Sequence, residues 1–401
     1  MNKPIRVYLD SSDFSSLSNS TDSATWGETT SQLQEWADSG VVQFLFSAVH
    51  LTEMAPLEAK FTPAAAARAD LVVRLCGRNA LISFDRLAEL ELRNLIDPLS
   101  SLPSVVSSEA EWYPKWGNLI SPVQWAETVN QVDLTGKEQG LNREQRRSLK
   151  RQMFKRGLPK KATRELLFSN EENIDYSDLL KLYPMRLQDA QVLGRYMIGK
   201  ASSEEANAAF LESLRDPRWM MRWFAEHHDK MSPFIFWLRK PAQDLNEAVK
   251  SIANKSQELH RLQSTLGPNF KPDVLTSQWW TSTQEEMLQN FANRMIRVLL
   301  QDTETTVTSQ QVRAHCPGIT SFLLSAVSFA KDSVTENPRQ PKESDFADVL
   351  HAMYAPYVDV YRTDSYMANH VRRQVETYPT TVVPKLSLLV PLLRDKLARL
   401  T

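Results

Sequence analysis

Five carboxylates carry the types and spacing that could do chemistry. Asp10 ends the apolar run Ile5-Arg-Val-Tyr-Leu, Glu53 lies just past the run Val41-Val-Gln-Phe-Leu-Phe46, and Asp364 follows Tyr357-Val-Asp-Val-Tyr361. Asp345 and Asp348 are three apart, which on a helix puts both on one face. In an open parallel sheet, ligands bind outside the carboxyl ends of the strands. Acids gathered there repel one another unless a divalent cation compensates them. All-oxygen donors suit Mg²⁺ or Mn²⁺, and the chemistry such a site supports is phosphodiester hydrolysis. One cation lowers the pKa of a water, and a second, about 4 Å away, stabilises the leaving oxygen.

Elements to position these acids are legible along the chain. Ile5–Leu9, Val41–Phe46 and Ala80–Phe84 read as strands, and Thr30–Ser39, the segment beginning at Ser47, and Ala64–Leu75 read as helices. The stops at Gly40 and Gly77 are C-terminal helix signals. Strands alternating with helices predict an α/β fold with a mostly parallel sheet. From Asp97 the sequence becomes helix-favouring, with tryptophans that read as core. The pattern then returns with helices over Thr320–Lys331, Ser344–Pro356 and Tyr366–Glu376 and strands over Tyr357–Tyr361 and Thr380–Val383. The expected organisation is one α/β domain formed by residues 1–96 and 320–401, split by a mostly helical insertion over 97–319.

Val-Tyr-Leu-Asp10, the strand leading to Glu53, Asp345-Phe-Ala-Asp348-Val-Leu-His and Val-Asp-Val-Tyr-Arg-Thr-Asp364 together resemble the PIN-like nucleases. That family includes ribonucleases of toxin–antitoxin pairs and ribosomal RNA-processing endonucleases. The resemblance covers roughly 4–96 and 320–401. It implies a central parallel sheet flanked by helices and an acidic site for Mg²⁺ or Mn²⁺, held by Asp10, Glu53, Asp348 and Asp364, with Asp345 as an additional catalytic acid. The implied activity is hydrolysis of RNA, with a toxin or phage-defence role following from the family alone. A DNA nuclease using the same acids, or a non-catalytic interaction protein, stands as the alternative. Simple members lack an insertion of this size.

Lys+Arg total 47 against 48 Asp+Glu, so net charge −1 supplies no overall attraction to polyanions. One tract departs from that balance: Lys137–Arg164 holds Arg143, Arg146, Arg147, Lys150, Arg151, Lys155, Arg156, Lys160 and Lys161, and is expected to follow a phosphate backbone, a solvated helix face being the plain alternative. Asp13 reads as a helix cap. His50 and His351 each lie three residues from a candidate acid and read as satisfied buried or rim histidines, with donation to the acids as the alternative. Cys76 and Cys316 are too few and too far apart for a disulfide framework. The absence of a signal-peptide core and of an apolar run near 20 residues predicts a cytoplasmic protein without a membrane partner.

Overall fold

The computed structural model describes residues 3–19, 23–56, 58–98, 104–115, 125–155, 158–160, 162–163, 176, 180, 184–197, 200–227, 233–267, 272, 276–332, 334 and 344–400. The chain divides into two compact units, Met1–Pro114 with Met221–Thr401, and Lys115–Met220.

In the first unit the order is β1 (Ile5–Tyr8), α1 (Ser11–Ser18), α2 (Ser23–Asp38), β2 (Val42–Leu45), α3 (Ala48–Met54), α4 (Thr62–Cys76), β3 (Ala80–Leu81), α5 (Phe84–Ile96) and β4 (Val106–Ser107). The second unit holds α6 (Trp125–Glu138), α7 (Arg143–Met153), the hairpin β5 (Phe154–Lys155) and β6 (Leu158–Pro159), α8 (Leu187–Met197) and α9 (Ser203–Leu214). After α10 (Pro217–His227), which carries the boundary, come α11 (Pro233–Leu266), α12 (Ser277–Leu299), α13 (Ser309–His315), α14 (Pro317–Asp332), α15 (Ser344–His351), β7 (Val360–Arg362), α16 (Met367–Gln374), β8 (Thr381–Val383) and α17 (Leu389–Ala398).

Four strands form a parallel sheet in the order β2-β1-β7-β8, with Val7 opposite Val360 and Tyr8 opposite Tyr361. The α/β architecture expected from the alternation is therefore present, in a chain that is otherwise mostly helical. The strands are apolar and covered on both faces, as parallel strands require: Val7, Tyr8, Phe44, Leu45, Val360 and Tyr361 are fully or almost fully buried. The third expected strand shrinks to Ala80–Leu81. It bridges Phe46 in parallel and pairs antiparallel with β4, and it stops short because α5 begins at Phe84, with Ser83 at the N-cap position.

The helical region does not separate as a block over 97–319. Leu288, Ala292 and Ile296, spaced four apart on α12, enter the same core as Tyr8, Leu81, Tyr354 and Tyr361, and α11 packs against α3 and α15. The compact unit that stands apart is 115–220. Trp112 and Trp223 are fully buried, in keeping with tryptophan as core.

Glu91 joins segments of the first unit that lie 227 residues or more apart in sequence. From α5 its carboxylate accepts hydrogen bonds from the amides of Gly318 (2.5 Å) and Ile319 (2.9 Å), the N-terminal donors of α14 left open by helix geometry, and from the Tyr357 hydroxyl. A methyl group on Gly318 would lie 2.7 Å from Glu91 Oε1 and 2.9 Å from the Met353 carbonyl, so this contact requires glycine.

Candidate functional site: acids at the carboxyl edge of the sheet

The carboxyl ends of β1, β2 and β7 open side by side, and the candidate acids sit there. Asp10 follows β1 and caps α1: its Oδ1 accepts from the Ser12 amide at 2.7 Å, while its own amide donates to Asp13 Oδ2 at 3.0 Å. The helix cap expected at Asp13 is thus Asp10 itself, and Asp13 closes the reciprocal cap from the third helical position. Glu53 is carried on the second turn of α3, just beyond β2. Asp364 follows β7 and caps α16 through the Met367 amide at 2.7 Å. Asp348 reaches the same edge from α15 and is buried to 9% exposure, like Asp10 at 8%. Asp345 begins the same helix, and its side chain lies outside the described residues.

One group reports the convergence of the four. Tyr361, the middle residue of β7 and the neighbour of Tyr8 across the sheet, is fully buried, and its hydroxyl has no hydrogen-bond partner among the described residues. Burial first, then the negative charges of Asp348, Asp10, Glu53 and Asp364, hold this phenol well above its ordinary pKa. Four carboxylates from β1, α3, α15 and the end of β7 thus share one electrostatic neighbourhood around a single protonated hydroxyl. Among the described residues, no group of three or more His, Cys, Asp or Glu side chains lies together in a way that could hold a metal ion. Asp10 and Asp364 turn to helix amides, and Glu53 turns to a histidine.

That histidine belongs to a buried chain of hydrogen bonds. His351 Nε2 donates to Glu53 Oε2 at 2.8 Å, leaving Nδ1 to accept from the Tyr8 hydroxyl at 2.6 Å; the Ser47 hydroxyl lies 2.6 Å from the same oxygen. The Ser47 amide donates to His50 Nδ1 at 3.0 Å, so Nε2 carries the proton given to the Leu9 carbonyl at 2.8 Å. Burial, then the neighbouring His351, holds His50 well below its ordinary pKa, which agrees with a neutral ring. His50 is thus a satisfied core residue, whereas His351 orients an acid. Tyr8→Phe removes the hydroxyl that serves Ser47 and His351, and buried polar atoms left short of a partner cost about 1–3 kcal/mol. Urea unfolding should show that loss; a Phe variant as stable as wild type would mean the chain contributes nothing to the fold.

Beside the acids, Arg362 at the end of β7 pairs with buried Asp13 through Nη2 and Oδ1 at 2.7 Å. Burial pushes the Asp13 carboxyl up to about 7 against the pull of this guanidinium. Sequence reasoning missed this pair, together with Tyr8 and Tyr361. The available signal was register: a tyrosine near the end of each central strand, and a cation just before Thr363-Asp364.

The basic tract belongs to the unit 115–220. Asn142 and Gln145 form a reciprocal cap that starts α7. Arg143, Arg147 and Arg151, four apart, lie exposed along one face of this helix, and Lys155 and Lys160 are exposed beyond it. Arg146 and Lys150 face the other way, toward Asp133 of α6 at 3.4 and 2.8 Å. Arg156 and Lys161 lie outside the residues whose side chains are described.

No described helix is long and apolar enough to cross a membrane. Comparison with known proteins finds nothing similar to the chain: no family model, no curated protein and no solved structure matches it.

Proposed function

We propose that the chain is a PIN-like, divalent-metal-dependent nuclease that hydrolyses RNA phosphodiester bonds. The observation that carries this reading is the gathering of Asp10, Glu53, Asp348 and Asp364 around the unpartnered Tyr361 hydroxyl at the carboxyl edge of a parallel sheet. An all-carboxylate donor set beside an unsatisfied buried hydroxyl fits a hard cation in chemistry. Asp10, Asp348, Glu53 and Asp364 would hold Mg²⁺ or Mn²⁺, with Asp345 as a further acid from α15. Such an ion supplies an activated water and charge neutralisation at the phosphate.

The chain's own groups prepare that edge. His351 fixes the orientation of Glu53, and the α1 and α16 amides hold Asp10 and Asp364 in place. Tyr361 stays protonated among the acids, a hydrogen-bond donor positioned where negative charge accumulates. The exposed arginines of α7 supply sequence-independent attraction to backbone phosphates.

The test is cleavage of a labelled RNA, with DNA of the same sequence alongside. Full-length protein with Mn²⁺ is expected to cut RNA, and EDTA to stop it. Asp348→Asn should lower the rate by about 10²-fold or more, as loss of one charged group in a cation-dependent site does. Equal cutting with EDTA, or by the variant, would reject the reading; preferential cutting of DNA would reassign its substrate.

A further inference from the structure

A second polar feature opens beside the acids, on the β8 side of the sheet. Asp13, Trp26, Arg362, Asp364, Lys385 and Ser387 are among the residues that line a groove, so two acids face its two cations. The Arg362 side chain is only 9% exposed. Asp13 engages one of its nitrogens, while Nε and Nη1 have no partner among the described residues. A buried guanidinium with open donors is costly unless something accepts from it. Lys385 stands exposed on the groove wall, adding a second cation, and half-buried Trp26 offers an aromatic surface.

We infer that this groove is a nucleotide subsite that takes a backbone phosphate of a single-stranded polynucleotide between Arg362 and Lys385 and stacks the attached base on Trp26. Guanidinium is suited to phosphate because its planar donors match the oxygen pair, and with Nη2 on Asp13 the nitrogens Nε and Nη1 are left to donate to such oxygens. Stacking on an aromatic ring tolerates any base, so the subsite would position a strand without reading its sequence. Asp364 borders both the groove and the acidic edge, so a nucleotide seated here lies next to the carboxylates. The choice of a polynucleotide as occupant rests on the nuclease reading, whereas the phosphate-binding chemistry comes from Arg362 and Lys385 themselves.

The experiment measures binding rather than cleavage. Fluorescence anisotropy of a fluorescein-labelled single-stranded RNA hexamer is followed in EDTA with full-length protein over a series of salt concentrations. Lys385→Ala is expected to weaken binding about five- to ten-fold and to reduce the salt slope by about 1. Trp26→Ala should weaken it about ten-fold with the slope unchanged. Because Arg362→Gln alone would strand Asp13, the paired variant Asp13→Asn/Arg362→Gln is used, with its melting temperature as a folding check; it too should bind more weakly and with a smaller slope. Lys331→Ala, an exposed cation on α14 away from the groove, should bind as wild type does. Unchanged binding in both Lys385→Ala and Trp26→Ala, or an equal loss in Lys331→Ala, would overturn the subsite. Groove-dependent binding without Mn²⁺-dependent cleavage would retain the subsite and remove the nuclease reading. Cleavage with groove-independent binding would do the reverse.

Discussion

Asp10→Asn is expected to lower RNA cleavage by about 10³-fold or more, the equivalent of some 4 kcal/mol in the barrier, with no loss of melting temperature. On the nuclease reading Asp10 has two separable roles. As the cap of α1 it needs only an acceptor for the Ser12 amide, which asparagine supplies as well as aspartate. As a member of the acidic edge it needs a negative charge, which asparagine lacks. Neutralising it also relieves repulsion from Asp348, Glu53 and Asp364, so the variant should melt at or above the wild-type temperature. Asp10→Ala should lose activity equally and, in addition, about 1 kcal/mol of stability with the cap. Parallel cleavage assays and thermal melts distinguish the two roles. Wild-type activity in Asp10→Asn, or a loss of activity that only tracks a loss of folding, would rule out a charged role for this residue.

Glu91→Gln should produce the largest change in stability, and one that depends on pH. Burial raises the Glu91 carboxyl to about 7 in the folded protein, against an ordinary value of 4.5, despite the donors around it. A group whose pKa is raised on folding contributes stability that is fully present below about pH 4.5 and is lost as pH rises through about 7. Protonated Glu91 can still accept from both α14 amides and give its own proton to Tyr357. Glutamine cannot do this, because its amide group must face either Gly318 N–H or Ile319 N–H. That donor-to-donor contact costs about 1–3 kcal/mol. The variant should therefore be clearly less stable than wild type at pH 5, and the gap should shrink by pH 8, as wild type loses its protonation advantage. Denaturant unfolding at the two pH values measures both gaps; a constant difference would show that Glu91 is ionised throughout.

What the sequence revealed and what it concealed follow from the range of the forces involved. The β-branched and aromatic runs at 5–9, 41–46 and 380–383 identify strands because strand propensity and burial are local in sequence, and an acid at a strand end is visible for the same reason. Asp10, Glu53 and Asp364 were readable in this way. The Ala80–Phe84 run misled because Ser83 and the amphipathic segment after it favour a helix start, which cut the strand to two residues. The body formed with 221–319 was hidden because α12 places Leu288, Ala292 and Ile296 against a core whose other members lie hundreds of residues away. The Glu53–His351–Tyr8 chain, the Asp13–Arg362 pair and the Glu91 cap were concealed for the same reason: each joins segments whose proximity only the folded register defines.

The pairing of β1 with β7 has a consequence for biosynthesis. The Arg6 amide meets Asp359 Oδ2 across a separation of 353 residues, and translation at roughly 5–20 residues per second needs on the order of twenty seconds to a minute to cover it. Throughout that interval the nascent polypeptide exposes one unsatisfied edge of its first strand, an invitation to aggregation that chaperones would have to cover. The same delay reaches the acidic edge: Asp348 and Asp364 are translated long after Asp10 and Glu53, so until then the emerging chain carries only half of the four acids and, on the nuclease reading, cannot cut the RNA around it.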